Sequence, residues 1–180
     1  MERPTLNRSK LKDVILYIIE KCGAEALGNL KLHKILYFSD MLFFVQTGAP
    51  LTGEEYLKQR RGPTARHLTW ALEKLASEGA IKIGEVPYYG FKKKHYELLQ
   101  RVDKRRFNDP AELAIIDSVI AEFADRSAAE VSEISHATPW RLVGMGEPIP
   151  YFTAFSLVDV EVTDEDVEWG IKEAARVAAE

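Results

Sequence analysis

The run KLHKILYFSDMLFFVQTG, residues 31–48, limits what this chain can fold into more than any other stretch. Leu32, Ile35, Leu36, Phe38, Met41, Leu42, Phe43 and Val45 fall on nearly every side of a helical wheel. A helix apolar nearly all round belongs in the centre of a core. Charged residues interrupt it, and it falls short of the roughly 20 apolar residues of a membrane span. Asn29 is the expected N-cap, and Gly48, with Pro50 beyond, the expected C-terminal stop. One narrow stripe is polar: His33, Tyr37 and Asp40 recur at i, i+4 and i+7. This stripe reads either as a seam facing solvent or as a contact surface for a partner.

The next segment is PLTGEEYLKQRRGPTARHLTWALEKLASEG, residues 50–79. Glu55–Gln59 reads as a short strand after a Thr52-Gly53 turn. Pro63 suits the first turn of a helix, where a missing N–H costs nothing. Ala65, Leu68, Ala71, Leu72, Leu75 and Ala76 then form an apolar face, closed by Gly79. Arg66, Trp70, Glu73 and Ser77 project oppositely. An Arg near a Trp on a polar face is a typical interface anchor; equally, Trp70 can pack on another part of the chain.

Met1–Ser9 reads as a loose arm, and Leu11–Cys22 as an amphipathic helix. Ala80–Val86 and Phe91–Leu99 form a hairpin with Lys92, Lys93 and Lys94 near its tip. The order helix, helix, short strand, helix, hairpin is that of a winged helix. Pro110–Ala124 and Ser127–Ser135 are further helices, the second opening on the capping-box pattern Ser127-x-x-Glu130. Residues 137–151 are irregular. A strand is expected within Phe152–Val162, and a last helix, Asp164–Ala179, is capped by Thr163. The fold class is therefore α+β and mainly helical, with winged-helix-like order followed by further helices.

The net charge of −4 conceals an uneven distribution. Residues 1–106 carry 20 Lys and Arg against 12 Asp and Glu, whereas residues 107–180 carry 4 against 16. Either a basic surface awaits an acidic partner, or the two halves face each other. The polar start of the chain lacks a signal-peptide pattern. The lone Cys22 sits on a helix face as a buried structural thiol, which suits a reducing cytoplasm. His33, His67, His95 and His136 lie far apart in sequence, with no metal-ligand spacing. Phosphate-loop, dinucleotide and nucleophile-elbow motifs are absent. Ser135-His136 has no orienting acid nearby, and Trp140 is expected to close the core. The expectation is a protein without catalytic residues, metal or cofactor.

The segments K-L-H-K-I-L-Y-F-S-D, T-G-E-E-Y, R-R-G-P-T-A-R-H-L and L-A-S-E-G-A-I, with the later S-E-I-S-H-A-T-P-W and G-E-P-I-P-Y, resemble the SocA-like Panacea antitoxin domain in order and spacing. The resemblance covers residues 30–151. It implies one antitoxin domain over residues 1–152 and an acidic extension over 153–180. It departs from the family pattern at Arg61, often aromatic there, and at Thr64-Ala65-Arg66. Its functional implication is an antitoxin of a bacterial or phage toxin–antitoxin pair, binding a protein toxin directly or delivering it to a protease. The expected toxin contacts are Lys58, Arg60, Arg61, Arg66 and Trp70, with His33, Tyr37 and Asp40. The alternative is a winged-helix DNA-binding regulator, in which Lys92, Lys93 and Lys94 join Arg60, Arg61 and Arg66 on phosphates. Glu73 and Glu78 on the candidate recognition helix argue against it.

Overall fold

The computed structural model describes residues 5–88 and 90–158, together with 163, 168 and 171. Helix α1 (Arg8–Ala26) is kinked at Gly23 and capped by the Asn7 side chain, which accepts from the Lys10 amide. Helix α2 (Asn29–Thr47) ends on Gly48, whose positive φ of 75° provides the left-handed stop. Two short strands follow, β1 (Tyr56–Leu57) and β2 (Thr64–Ala65), paired antiparallel. Next come α3 (Leu68–Ser77) and the hairpin β3 (Ile81–Tyr88) and β4 (Phe91–Leu98). Helices α4 (Pro110–Phe123), α5 (Ala128–Ile134) and α6 (Thr138–Arg141) complete the helical part, and a 3-10 helix spans Tyr151–Leu157. The expected winged-helix-like order is present, with β2 added.

Helix α2 is the axis of the molecule. It contacts α1, α4, α5, β2, β4 and the 3-10 helix. Leu32, Ile35, Leu36 and Met41 are wholly buried on it. Phe38 meets Phe123 of α4 edge-on at 5.2 Å, and Tyr37 meets Tyr56 at 5.2 Å. Helix α1 adds Leu11, Val14, Ile15 and Ile18 to the same core.

Several expectations need correction. The polar stripe on α2 does not face solvent: Tyr37 and Asp40 are buried. Asp40 accepts the Thr52 amide and the Tyr56 hydroxyl, each at 2.8 Å, as well as the Thr52 hydroxyl. These donors make burial of a carboxyl tolerable. Burial still raises its pKa, while the bonds from Thr52 and Tyr56 pull the other way.

The N-cap of α2 is Gly28, not Asn29, whose side chain instead accepts the Tyr96 hydroxyl. Pro63 does not open α3; Thr64 and Ala65 are extended because they pair with Leu57 and Tyr56, which moves the helix start to Leu68. The arm is docked at Asn7, whose amide donates to the Thr52 carbonyl. Within 137–151, α6 forms and residues 146–149 run along β1, with Ile149 donating to the Tyr56 carbonyl. The strand expected from Phe152 is a 3-10 helix to Leu157, and residues 159–162 fall outside the described residues; of the expected Asp164–Ala179 helix only Glu168 and Ile171 are described, both helical.

Asp40→Ala should leave the two buried donors of Thr52 without their acceptor, while the Tyr56 hydroxyl keeps the Leu36 carbonyl. A loss of about 2–6 kcal/mol is expected, since each stranded group costs ~1–3 kcal/mol. Urea denaturation measures it, and an unchanged midpoint would contradict the role given to Asp40.

Candidate functional site

At the N-terminal end of α2, four segments surround a cavity of about 780 Å³. Helix α2 supplies Lys31, His33 and Lys34, and the β1–β2 turn supplies Gln59, Arg60 and Arg61. Strand β4 contributes Lys92, Lys93 and Lys94, and the start of α5 is preceded by Arg126. Among the described residues, eight that line it are Lys or Arg, and none is Asp or Glu.

The turn is held in place by close contacts. Gly62 has φ 86°, and a β-carbon there would lie 2.0 Å from Ser135 Oγ and 2.9 Å from Lys34 Cε. Only glycine fits this approach. Lys34 Nζ donates to the Pro63 carbonyl at 2.7 Å, Ser132 donates to the Arg61 carbonyl, and Trp140 Nε1 donates to the Gln59 carbonyl. The Arg60 and Arg61 side chains thus extend from a backbone anchored on three sides.

Electrostatics in the cavity are set by burial. Lys34 is 1% exposed and has no carboxylate partner among the described residues; burial lowers its pKa to about 7. Lys31, also buried, donates to the Ala124 carbonyl. Its pKa is lowered by burial and then by repulsion from Lys93, with Cys22 and Asp125 opposing. His33 Nδ1 accepts the Ala65 amide, so its proton sits on Nε2. Burial, then Lys34 and Lys94, hold its pKa down at about 4. The ring is neutral at physiological pH.

The charge asymmetry of the sequence resolves into two parts. On one side the halves do face each other: Lys10 pairs with Glu112 at 2.8 Å and Lys21 with Asp117 at 3.2 Å. At the cavity they do not: Arg60, Arg61 and Lys94 make no ion pair among the described residues. Lys92 reaches Glu85 at 3.3 Å, and Arg126 pairs with Glu122 at 2.6 Å.

The expected contact residues therefore separate. His33, Arg60 and Arg61 gather in the cavity together with the nucleic-acid candidates Lys92, Lys93 and Lys94. Tyr37 and Asp40 are in the core and cannot touch a partner. Lys58, Arg66 and Trp70 lie outside the cavity. Lys58 donates to the Val143 carbonyl at 2.7 Å and sits 4.2 Å from the Trp140 ring centroid, so it is used within the chain. Arg66 pairs with Glu55. Trp70 is 37% exposed with the Arg8 guanidinium over its ring, so it is partly packed and partly available.

Sequence reasoning missed Lys31 and Lys34, which helical periodicity placed on a core helix with no hint of a cavity. It also missed the exposed apolar side chains Leu142, Met145, Phe152 and Phe155 on two adjoining stretches near the end of the described chain. Cys22 is partly buried and burial raises its thiol pKa to about 11, which disfavours the thiolate. Among the described residues, no helix is long and apolar enough to cross a membrane.

These features define a mainly helical α+β domain of winged-helix-like order whose central helix ends in a cationic cavity. The family model for the SocA-like antitoxin, Panacea domain, matches residues 32–141, from the first turns of α2 to the end of α6. The chain belongs to this antitoxin family. No curated protein matches it.

The buried Lys34 has a consequence for stability. Its pKa falls from 10.5 when unfolded to about 7 when folded. Between these values the unfolded chain binds more protons, so stability rises with pH. Below about pH 7 both states are charged and this contribution is flat. Stability should therefore climb from pH 7 to 8.5, and Lys34→Met should flatten that climb whatever its constant offset. Urea midpoints across this window provide the check.

Proposed function

We propose that the chain neutralises a protein toxin by binding it directly. One observation carries the proposal: a chain from an antitoxin family presents an indole, Trp70, half free on the outer face of α3, with Arg66 and Arg8 on either side in sequence or space. Trp and Arg are the side chains that most often concentrate binding energy at protein interfaces. The scaffold behind Trp70 is preformed, because Leu68, Ala71, Leu72 and Leu75 seat the opposite face of α3 in the core. A rigid face loses little conformational entropy on association. Neutralisation then follows from covering the toxin's working surface, and the Arg8 guanidinium over the Trp70 ring favours an acidic rim on the toxin. Delivery to a protease would be an added step, visible as a shortened toxin half-life in cells rather than as occlusion alone.

Co-expression with the product of the neighbouring gene, followed by affinity capture, tests this. A complex and rescue of growth are expected. The double variant Trp70→Ala, Arg66→Ala should weaken the complex by about 30-fold or more, since truncating an interface anchor costs ~2 kcal/mol or more. Equal affinity of parent and variant would remove this face from the interface, and growth arrest undiminished by the chain would refute the function.

A further inference from the structure

We propose that the cavity at the start of α2 binds a small polyphosphorylated ligand, held by Lys34, Arg60, Arg61 and Lys94 and by the first backbone amides of α2. This is independent of toxin binding through Trp70, which lies outside the cavity.

Three observations converge on it. The first is excess positive charge. Eight cationic side chains from four segments line one concave volume, with no acidic residue among its described lining; Lys92 and Arg126 have carboxylate partners, whereas Arg60, Arg61 and Lys94 make no ion pair among the described residues. Like charges brought together raise one another's free energy, and walls of low dielectric focus the resulting field. A carboxylate could neutralise only one of these charges; several phosphates joined in one molecule match the set. Guanidinium groups at Arg60 and Arg61 suit bidentate contact with phosphate oxygens.

The second is Lys34 itself. A side chain 1% exposed carries an ammonium group, and a single carbonyl, that of Pro63, accepts from it. Three hydrogens are available on the group. A methionine would fill similar space without the desolvation cost. An anion in the cavity would supply the missing acceptors and the missing countercharge.

The third is the end of α2. This 19-residue helix starts at Gly28 with no side-chain cap. Its first-turn residues Asn29, Leu30 and Lys31 line the cavity, and the uncapped amides of a helix start attract anions. Lys93 lies directly across Gly28, with Cε 3.0 Å from where a β-carbon would stand. The helix start and Lys93 thus border the same volume.

The shape favours a small ligand over a nucleic-acid strand. A duplex carries a phosphate charge every ~1.7 Å along its axis and needs an open track. This cavity gathers its cations around one volume, which is within the ~300–1,000 Å³ of small-molecule sites.

The test is isothermal titration of the full chain with sodium tripolyphosphate, then with ATP, at constant ionic strength. Saturable one-site binding of tripolyphosphate is expected. The double variant Arg61→Gln, Lys94→Gln alters exposed side chains, so it should fold; it should bind at least about tenfold more weakly, as two charge-assisted contacts are lost. Lys82→Gln, a cation remote from the cavity, should bind as the parent does. Absence of saturable heat, or equal affinity in the double variant, would overturn the assignment. So would tighter binding of a single-stranded oligonucleotide than of tripolyphosphate at matched phosphate concentration, which would give the cavity to a nucleic acid. If ATP binds no better than tripolyphosphate, the site recognises the phosphate chain; if better, the base and sugar contribute too.

Discussion

Two buried charged residues on one helix hold this structure in register. Lys34 and Asp40 stand six positions apart on α2, about 9 Å along the axis. Asp40 fixes the entry to the β1–β2 arm through Thr52 and Tyr56, and Lys34 fixes its exit through the Pro63 carbonyl. Apolar contact alone is non-directional and would let a two-residue strand pair slide. Hydrogen bonds to charged groups inside the core do not, because a slip would strand them unpaired. The arm's position follows, and with it the place of Arg60 and Arg61 above the start of α2.

The same constraint links fold to site. Gly62 lies against Ser135 and Lys34, so α5, the arm and α2 meet at one point. Of the cavity's cations, Lys31 and Lys34 lie on α2, Arg60 and Arg61 on the arm and Arg126 just ahead of α5, while Lys92, Lys93 and Lys94 lie on β4, which packs against α2. Among the described residues of the acidic second half, Glu112 and Asp117 neutralise α1 and Glu122 pairs with Arg126, while Arg60, Arg61 and Lys94 keep the cavity positive. A molecule with an acidic total can in this way hold a strongly basic interior volume, which bulk charge does not reveal.

Much of the architecture was legible in the sequence. The all-round apolar run marked α2 as central, and the capping box at Ser127 and Glu130 is present with both of its bonds. The misreadings have a common cause. His33, Tyr37 and Asp40 were grouped by helical spacing, yet spacing cannot tell a polar stripe facing water from one that finds polar partners inside. Thr52 and Tyr56 decide it for Asp40 and the Ala65 amide for His33, all distant in sequence, whereas Tyr37 is buried by packing against Phe38 and Tyr56. Pro63 carried a genuine helix-start signal, overridden because Thr64 and Ala65 gain a strand partner.

The sequence by itself determined which helix would be central, where most helices stop, the winged-helix-like order and the family, since these depend on local periodicity, capping and motif spacing. Tertiary structure alone decided that two predicted sets of cations, Arg60 and Arg61 with Lys92, Lys93 and Lys94, share one cavity floored by Lys31 and Lys34. It also decided that Trp70 stays apart from them. Proximity between residues some thirty to sixty positions apart is set by how elements pack, and no local pattern encodes it.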